Sequence, residues 1–204
     1  MNNKIINLIL SVLHTLNIKD VCISPGARNS PLIQGFINLN FNTHFILDER
    51  SSGFYVLGIA KKTKNPVIVC CTSGTALANL FPAIIEARMS ETPLVIITAD
   101  RPKSLMNKGE NQTIDQDNIY GKYVCNNINI DSSDKKQSII DKVNISINTS
   151  LGIIDKAKLS EKGPVHINIH IEEPLIESES SNLKVEDIYL NLINSIPINN
   201  ILKI

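Results

Sequence analysis

The chain of 204 residues has the usual length of one domain with a short tail. Hydrophobic residues make up 43% and charged residues 20%, which is typical of a soluble globular domain. Basic and acidic residues both number 20 and aromatic residues make up 4%, so the chain lacks the cationic excess and the stacking rings of a nucleic-acid-binding protein. We expect no nucleic-acid partner.

Helices and short apolar strands alternate along the chain. Apolar residues at helical spacing predict an amphipathic first helix between Ile5 and Leu16. Apolar runs bounded by Gly, Pro or polar residues predict strands over 21–24, 44–47, 67–71, 94–97 and 165–171. The segments between them predict helices that begin near Ser30 and extend over 51–62, 75–89 and 137–159.

This alternation predicts an α/β fold, a parallel sheet covered by helices on both faces. We expect residues 1–175 to form this domain, and residues 176–204, with the polar run ESESSN, to be a linker or the start of a further, central domain. Ligands of parallel sheets bind beyond the carboxyl ends of the strands. The segments predicted to lie there are Pro25–Ser30, Asp48–Ser52, Thr72–Thr75 and Ala99–Gln112.

The cysteines indicate a reducing compartment. They follow no CxxC spacing, which favours neither a zinc site nor a disulfide framework, so we expect them to pack as small apolar residues in a cytoplasmic protein. They are Cys22, Cys70, Cys71 and Cys125. No apolar run is long enough to cross a bilayer, and we expect no membrane contact.

The sequence Asp48-Glu49-Arg50 follows a predicted strand directly. On one interpretation Asp48 caps the next helix and Glu49 lies in its first turn, where the helix dipole favours a carboxylate. On the other, Glu49 is a carboxyl group at the ligand edge of the sheet that exchanges a proton with a bound molecule. The pattern alone leaves both open.

The sequence from Thr72 to Thr75 is a strand-to-helix turn with free hydroxyls and a glycine, Gly74. It is either a tight turn with a helix cap or a cradle whose backbone N–H groups hold an anion or a polar ring. The turn is no Walker loop because no GK[ST] follows it, and Gly26-Ala27-Arg28 is no dinucleotide fingerprint.

Two arginines, Arg28 and Arg101, each follow a predicted strand. Guanidinium groups bind carboxylates at two points, so two of them at one sheet edge favour an anionic substrate. The alternative is a surface ion pair for each. The amides of Asn111 and Gln112, in the same loop as Arg101, either contact that substrate or are solvated.

His166 and His170 lie four residues apart in one predicted strand and therefore share a face. A metal pair would place them so, but no third ligand lies nearby in the sequence. We expect both to be structural histidines whose ring nitrogens bond to the backbone, and we predict no metal ligands in the chain.

Taken together, these segments resemble a known family. ISPGARNSPL, ILDERSSGF, CCTSGTALANLFPAIIEA, PLVIITADRP, NQTIDQ and GPVHINIHIEEPL resemble, in this order, the amino-terminal pyrimidine-binding (PYR) domain of thiamine-diphosphate-dependent enzymes. DERS, TADRP and NQTIDQ are more specific: they resemble the menaquinone-biosynthesis synthases of 2-succinyl-5-enolpyruvyl-6-hydroxy-3-cyclohexene-1-carboxylate (SEPHCHC). The resemblance covers Lys4 to Leu175.

The resemblance implies a role for each candidate residue. Glu49 is implied to face N1′ of the cofactor's aminopyrimidine and to hold a proton there. The cofactor-binding residues that it implies, besides Glu49, are Thr72, Ser73, Gly74 and Thr75. The residues implied to bind the acidic substrates, 2-oxoglutarate and isochorismate, are Arg28, Arg101, Asn111 and Gln112. Ala27 departs from the family, which often has serine there.

The resemblance also implies what must lie elsewhere. Members of the family hold the diphosphate and Mg²⁺ through a GDG motif in a carboxy-terminal domain, and no GDG occurs in this sequence. Because the family's site forms between subunits, we expect a homo-oligomeric carboligase, a dimer or a tetramer, and no turnover by this chain alone. The alternatives are another thiamine-diphosphate decarboxylase or acetolactate-type carboligase, or a non-catalytic anion-binding module.

Overall fold

The computed structural model describes residues 2–106, 108–155, 158–159 and 161–175. The predicted linker, 176–204, lies outside the described residues. The helices are α1 Asn2–Thr15, α2 Ser30–Asn38, α3 Glu49–Thr63, α4 Thr75–Asn79, α5 Phe81–Met89 and α6 Lys136–Ser150. The strands are β1 Asp20–Ile23, β2 Asn42–Phe45, β3 Val67–Cys71, β4 Leu94–Asp100, β5 Asn126–Ile130, β6 Ile153–Asp155, β7 Lys158–Leu159 and β8 Val165–His170. Within the described ranges, no helix has the length and apolarity to span a bilayer.

Six strands form one parallel sheet in the order β2-β1-β3-β4-β8-β5. The central strand β3 pairs on both sides, with Val69 opposite Cys22 of β1 and opposite Ile96 of β4. Its five apolar residues are all buried, as expected for a strand that is covered on both faces. The predicted α/β fold is confirmed.

Two apolar cores cover the two faces of the sheet. Alternate residues of a strand point to opposite faces, and in β3 Ile68 and Cys70 enter one core while Val67, Val69 and Cys71 enter the other. Helices α1, α2 and α6 pack on the first face, and α3, α4 and α5 on the second. The helices therefore lie on both faces, as predicted.

Several element boundaries differ from the prediction. The helix predicted over 75–89 is two helices that meet at Leu80, because Pro82 in the first turn of α5 has no N–H to continue α4. The helix predicted over 137–159 ends at Ser150, where Gly152 adopts a φ of 74° and the chain turns into β6. Strand β2 ends two residues before the predicted strand does.

Strand β5 is absent from the prediction because its sequence, NNINI, is rich in asparagine, which is depleted in strands. The strand is stable here because the asparagine side chains have partners. Asp117 Oδ1 accepts from Asn127 Nδ2 at 3.1 Å and from Asn129 Nδ2 at 2.7 Å. Tertiary hydrogen bonds thus override the local preference.

Two glycines of α3 make a matched test of the packing between α3 and α5. A Cβ at Gly53 would lie 2.8 Å from Cβ of Ala83, whereas a Cβ at Gly58 meets nothing within 4 Å. Both Gly→Ala changes favour the helix by about 0.5–1 kcal/mol. In urea denaturation we expect Gly58→Ala to stabilise the fold by about that amount, and Gly53→Ala to destabilise it by about 1–3 kcal/mol. Equal effects would contradict the close approach of the two helices.

Candidate active site

The loops after β1 and β3 touch at the carboxyl edge of the sheet. Strands β1 and β3 are neighbours, so their following loops leave the sheet side by side. A Cβ at Gly26 would lie 2.6 Å from the Cβ of Thr72, which means that only glycine allows this approach. Asn29 Oδ1 fixes the loop by accepting from Gly26 N at 2.8 Å. Two of the predicted ligand-facing segments are thereby held together.

Glu49 is the first residue of α3 and lies directly after Asp48, the N-cap. Asp48 Oδ1 accepts from Ser51 N at 2.7 Å, and hydrogen bonds from Ser51 lower the pKa of the Asp48 carboxyl. The capping role of Asp48 is confirmed. Glu49 is half-buried, and its Oε2 accepts from Asn79 Nδ2 of α4 at 3.1 Å. Among the described residues, its Oε1 has no hydrogen-bond partner.

The Thr72–Thr75 turn is held by hydrogen bonds to the loop that follows β4. Gly74 has a φ of 80°, and a Cβ there would lie 2.7 Å from Cγ of Gln112, so glycine is required on both counts. Ser73 Oγ donates to Gln112 O, and Gln112 Nε2 donates to Ser73 O, both at 3.0 Å. Gly74 N donates to Gln116 Oε1 at 2.9 Å. Thr75 is exposed, whereas the other three residues are buried.

Arg28 is buried, with 3% of its surface exposed. Its Nη1 donates to Ile171 O and its Nη2 to Glu173 Oε1, both at 3.0 Å. The Glu173 side chain is 72% exposed, so one branch of the guanidinium fork ends at the surface. The buried Nε of Arg28 has no hydrogen-bond partner among the residues that the structure describes. The ion pair that one interpretation predicts for Arg28 is present, but only Glu173 lies at the surface, because the guanidinium is inside the protein.

Arg101 lies at the end of β4, half-buried. Its Nη2 donates to Asn111 O at 2.9 Å, and its buried Nε has no hydrogen-bond partner within the described ranges. In the part of the chain that the structure describes, no carboxylate pairs with this guanidinium. Asn111 and Gln112 are both exposed. Arg101 is therefore a cation beside the loop that holds the Thr72–Thr75 turn.

The structure thus joins most of the predicted site residues into one region. Gln112 ties the turn to the segment that carries Arg101, and Asn79 ties α4 to Glu49. Arg28 is joined instead to the end of β8. No three His, Cys, Asp or Glu side chains among the described residues are grouped as a metal would need.

Gln116, Asn168 and Asp100 are absent from the sequence-based prediction, although they are buried and hydrogen-bonded behind the site. A signal for Asn168 and Asp100, though not for Gln116, exists in the sequence. Polar residues recur at every second position at the end of β4 and along β8, which places them on one face of two neighbouring strands. The prediction uses only the histidines of that pattern.

His166 is buried on β8 among polar and aromatic partners. Its Nε2 lies 2.7 Å from Thr98 Oγ1, and its Nδ1 lies 2.7 Å from Asn127 Oδ1. The Tyr120 ring packs edge-on against it, with centroids 4.9 Å apart. Burial lowers the pKa of His166 to about 3, so the imidazole is neutral at neutral pH. His170 Nδ1 lies 2.6 Å from Arg101 O, a backbone partner as predicted. For His166 the predicted backbone partner is wrong, because both ring nitrogens contact side chains.

The buried imidazole makes stability depend on pH. The unfolded chain protonates this histidine near pH 6.5 and the folded chain only near pH 3, so the unfolded state binds more protons between those values. The free energy of unfolding should therefore fall as the pH falls through that window, by up to about 1.4 kcal/mol per pH unit from this group. We expect His166→Gln to flatten the dependence in urea denaturation between about pH 6.5 and about pH 4. An unchanged slope would contradict this assignment.

Comparison with known proteins shows the family of the chain. Residues 3–119 match the family described as thiamine pyrophosphate enzyme, N-terminal TPP binding domain. The SEPHCHC synthase of Flavobacterium johnsoniae is 41% identical over 185 residues, and that of Histophilus somni (strain 129Pt) is 41% identical over 182. The matches cover 90% and 86% of this chain but only 32% and 31% of those proteins. The chain spans about a third of the length of these curated relatives.

Among solved structures, benzoylformate decarboxylase from Polynucleobacter necessarius shares the fold. The TM-score is 0.70 at 18% sequence identity, over 86% of this chain and 33% of that one. At this identity the similarity concerns the fold alone. The family match covers more than half of the chain, and the predicted resemblance is confirmed. The chain belongs to the thiamine pyrophosphate enzymes, in which it corresponds to the N-terminal domain that binds the cofactor.

Proposed function

We propose that this chain supplies the pyrimidine-facing half of the active site of a SEPHCHC synthase. The reaction removes CO₂ from 2-oxoglutarate and joins the remaining four-carbon unit to isochorismate, a step of menaquinone biosynthesis. Two relatives that are 41% identical carry this name, which supports the proposal. We place the protein in the cytoplasm, since its cysteines are free thiols, three of them buried.

The position of Glu49 carries this proposal. Its carboxyl lies at the start of α3, beyond the carboxyl end of the sheet, and its Oε2 is fixed by Asn79. The other oxygen has no partner among the described residues and suits a ring nitrogen that needs a proton. When bound, thiamine diphosphate supplies the carbon nucleophile that attacks a 2-oxo acid. Glu49 holds the proton at N1′ of the pyrimidine and thereby acts as the general acid–base group.

The arginines suit carboxylate substrates. Arg101 has a buried Nε without a partner and no carboxylate within the described residues, so a substrate carboxylate would complete its hydrogen bonding. Arg28 also has an unpaired Nε, but its Nη2 is bound to Glu173. A substrate that binds Arg28 there replaces the exposed Glu173 side chain. Both substrates carry more than one negative charge at neutral pH, which explains the need for two cations.

The other half of the site is assigned to a different domain of a second subunit, as the family resemblance implies. That half holds the diphosphate and Mg²⁺, which we propose as the metal. Exposed apolar side chains on α3 and α5, two helices on the face of the sheet that carries Glu49, favour burial by a second subunit. These side chains are Phe54, Tyr55, Ile85 and Met89. We propose a homo-oligomer in which this face is covered.

A chimeric enzyme tests the proposal. Residues 1–175 of this chain replace the matching segment of the Flavobacterium johnsoniae synthase, and product formation is followed by mass spectrometry. We expect turnover with 2-oxoglutarate and isochorismate, and no product when pyruvate or benzoylformate replaces 2-oxoglutarate. Glu49→Gln should lower kcat by about 10²–10⁴-fold, the usual contribution of a general acid–base group.

Glu161→Gln is the matched control, because Glu161 pairs with Arg88 at the opposite, amino edge of the sheet. We expect its turnover to stay within about twofold of the parent chimera, since an exposed ion pair contributes little. A chimera that binds thiamine diphosphate but uses pyruvate in preference would favour an acetolactate-type carboligase. A chimera that folds and turns over no 2-oxo acid would contradict the proposed function.

A further inference from the structure

A buried polar layer lies directly behind the Thr72–Thr75 turn. It consists of Thr98, Asp100, Gln116, His166 and Asn168, all with at most 1% of their surface exposed. Thr98 and Asp100 come from β4, and His166 and Asn168 from β8, which pairs with β4 in parallel. Gln116 belongs to the loop after β4 that covers them. Buried polar groups are costly unless they are paired, so the pairing in this layer fixes the position of the loop.

Asn168 uses its whole amide within this layer. Its Oδ1 accepts from Thr98 Oγ1 at 2.7 Å and from Gln116 Nε2 at 2.8 Å. Its Nδ2 donates to Asp100 Oδ2 at 2.8 Å and to Asn129 Oδ1 at 3.0 Å. Four hydrogen bonds satisfy the capacity of a carboxamide. The orientation of this side chain is therefore determined, and it determines that of Gln116.

Gln116 connects the buried polar layer to the Thr72–Thr75 turn by hydrogen bonds. Its Nε2 donates to Asn168 and also to Ala99 O at 3.2 Å, which aims its Oε1 away from the layer. That oxygen accepts from Gly74 N at 2.9 Å. The N–H of Gly74 belongs to the peptide that joins it to Ser73, so Gln116 sets the orientation of that peptide. It does so from the buried side, where no ligand reaches.

The same layer also contacts the backbone of Arg101. Asp100 Oδ2 is held by Asn168, while its Oδ1 accepts from Arg101 N at 2.7 Å. One side chain, Asn168, thus lies one hydrogen bond from Gln116 and one from Asp100. Asn168 is therefore connected to the turn through Gln116 and to the backbone of Arg101 through Asp100.

We propose that Gln116 is a positioning residue that sets the Ser73–Gly74 peptide, and that Asn168 fixes this peptide and the Arg101 backbone in one geometry. Gln112 acts differently, because it is exposed and its amide holds the carbonyl of Ser73 from the outer side. The meaning of the proposal for catalysis rests on the proposed function. Its test does not, because it needs no cofactor and no turnover.

Amide hydrogen exchange by NMR tests the proposal on the chain itself. Gln116→Met keeps the length of the side chain and removes the acceptor of the Gly74 N–H. We expect exchange at Gly74 to become about tenfold faster, which corresponds to about 1.4 kcal/mol, while the amides of β1 and β3 keep their rates. Gln112→Met, the matched control, removes the contact with Ser73 O on the same peptide but keeps the acceptor of the Gly74 N–H, so it should accelerate exchange at Gly74 by a smaller factor than Gln116→Met does.

Two results would overturn the proposal: an unchanged rate at Gly74 in Gln116→Met, or equal acceleration of Gly74 and of the β1 and β3 amides, which indicates a general loss of stability. If Gln116→Met does not fold, hydrogen exchange of the unmodified chain tests the proposal instead. The side-chain amide of Gln116 should then exchange at least about tenfold more slowly than that of Gln137, which is exposed and bonded only to Asp141. Equal rates would overturn the proposal and leave the proposed function untouched.

Discussion

The parallel alignment of the strands is the constraint on which the site depends. Because β1, β3, β4 and β8 run in the same direction, the loops that follow them leave the sheet at one edge. The contact between Gly26 and Thr72 brings two of these loops within van der Waals distance. Glu49 begins the helix that follows the outermost strand and is tied by Asn79 to the helix after the turn. No single loop contains the site; the topology assembles it.

The buried polar layer explains how a long, exposed loop holds a defined geometry. The loop after β4 carries Arg101, Gln112 and Gln116, and its apolar packing includes the buried Tyr120 and partly buried residues around it. Its fixed points are hydrogen bonds to buried partners, each of which costs about 1–3 kcal/mol when one partner is lost. The apolar face of the same strands supplies stability, whereas the polar face supplies orientation. Both are needed to hold the loop that carries Arg101 against the Thr72–Thr75 turn.

Much of this molecule is predictable from the sequence, because its strands are apolar and its turns contain glycine and proline. Strand β3 is predicted to the residue, and the capping position of Asp48 is one of the two interpretations that its pattern allows. Strand β5 is not predicted, because its asparagines are stabilised by Asp117, about ten residues away in the sequence and adjacent in space. Gln116 is not predicted because nothing local distinguishes a buried glutamine from a solvated one. The environment of Arg28 likewise depends on Ile171, 143 positions away.

Under the proposed function, catalysis depends on a proton that the Glu49 carboxyl moves at the pyrimidine of the cofactor. The most direct measurement is the rate of hydrogen–deuterium exchange at thiazolium C2 of thiamine diphosphate bound to the chimeric enzyme, without substrate. We expect exchange at least about 100-fold slower in Glu49→Gln than in the parent chimera, with cofactor bound to both. Equal exchange rates in the two proteins would show that Glu49 takes no part in the proton transfer and would contradict the proposed role of this carboxyl.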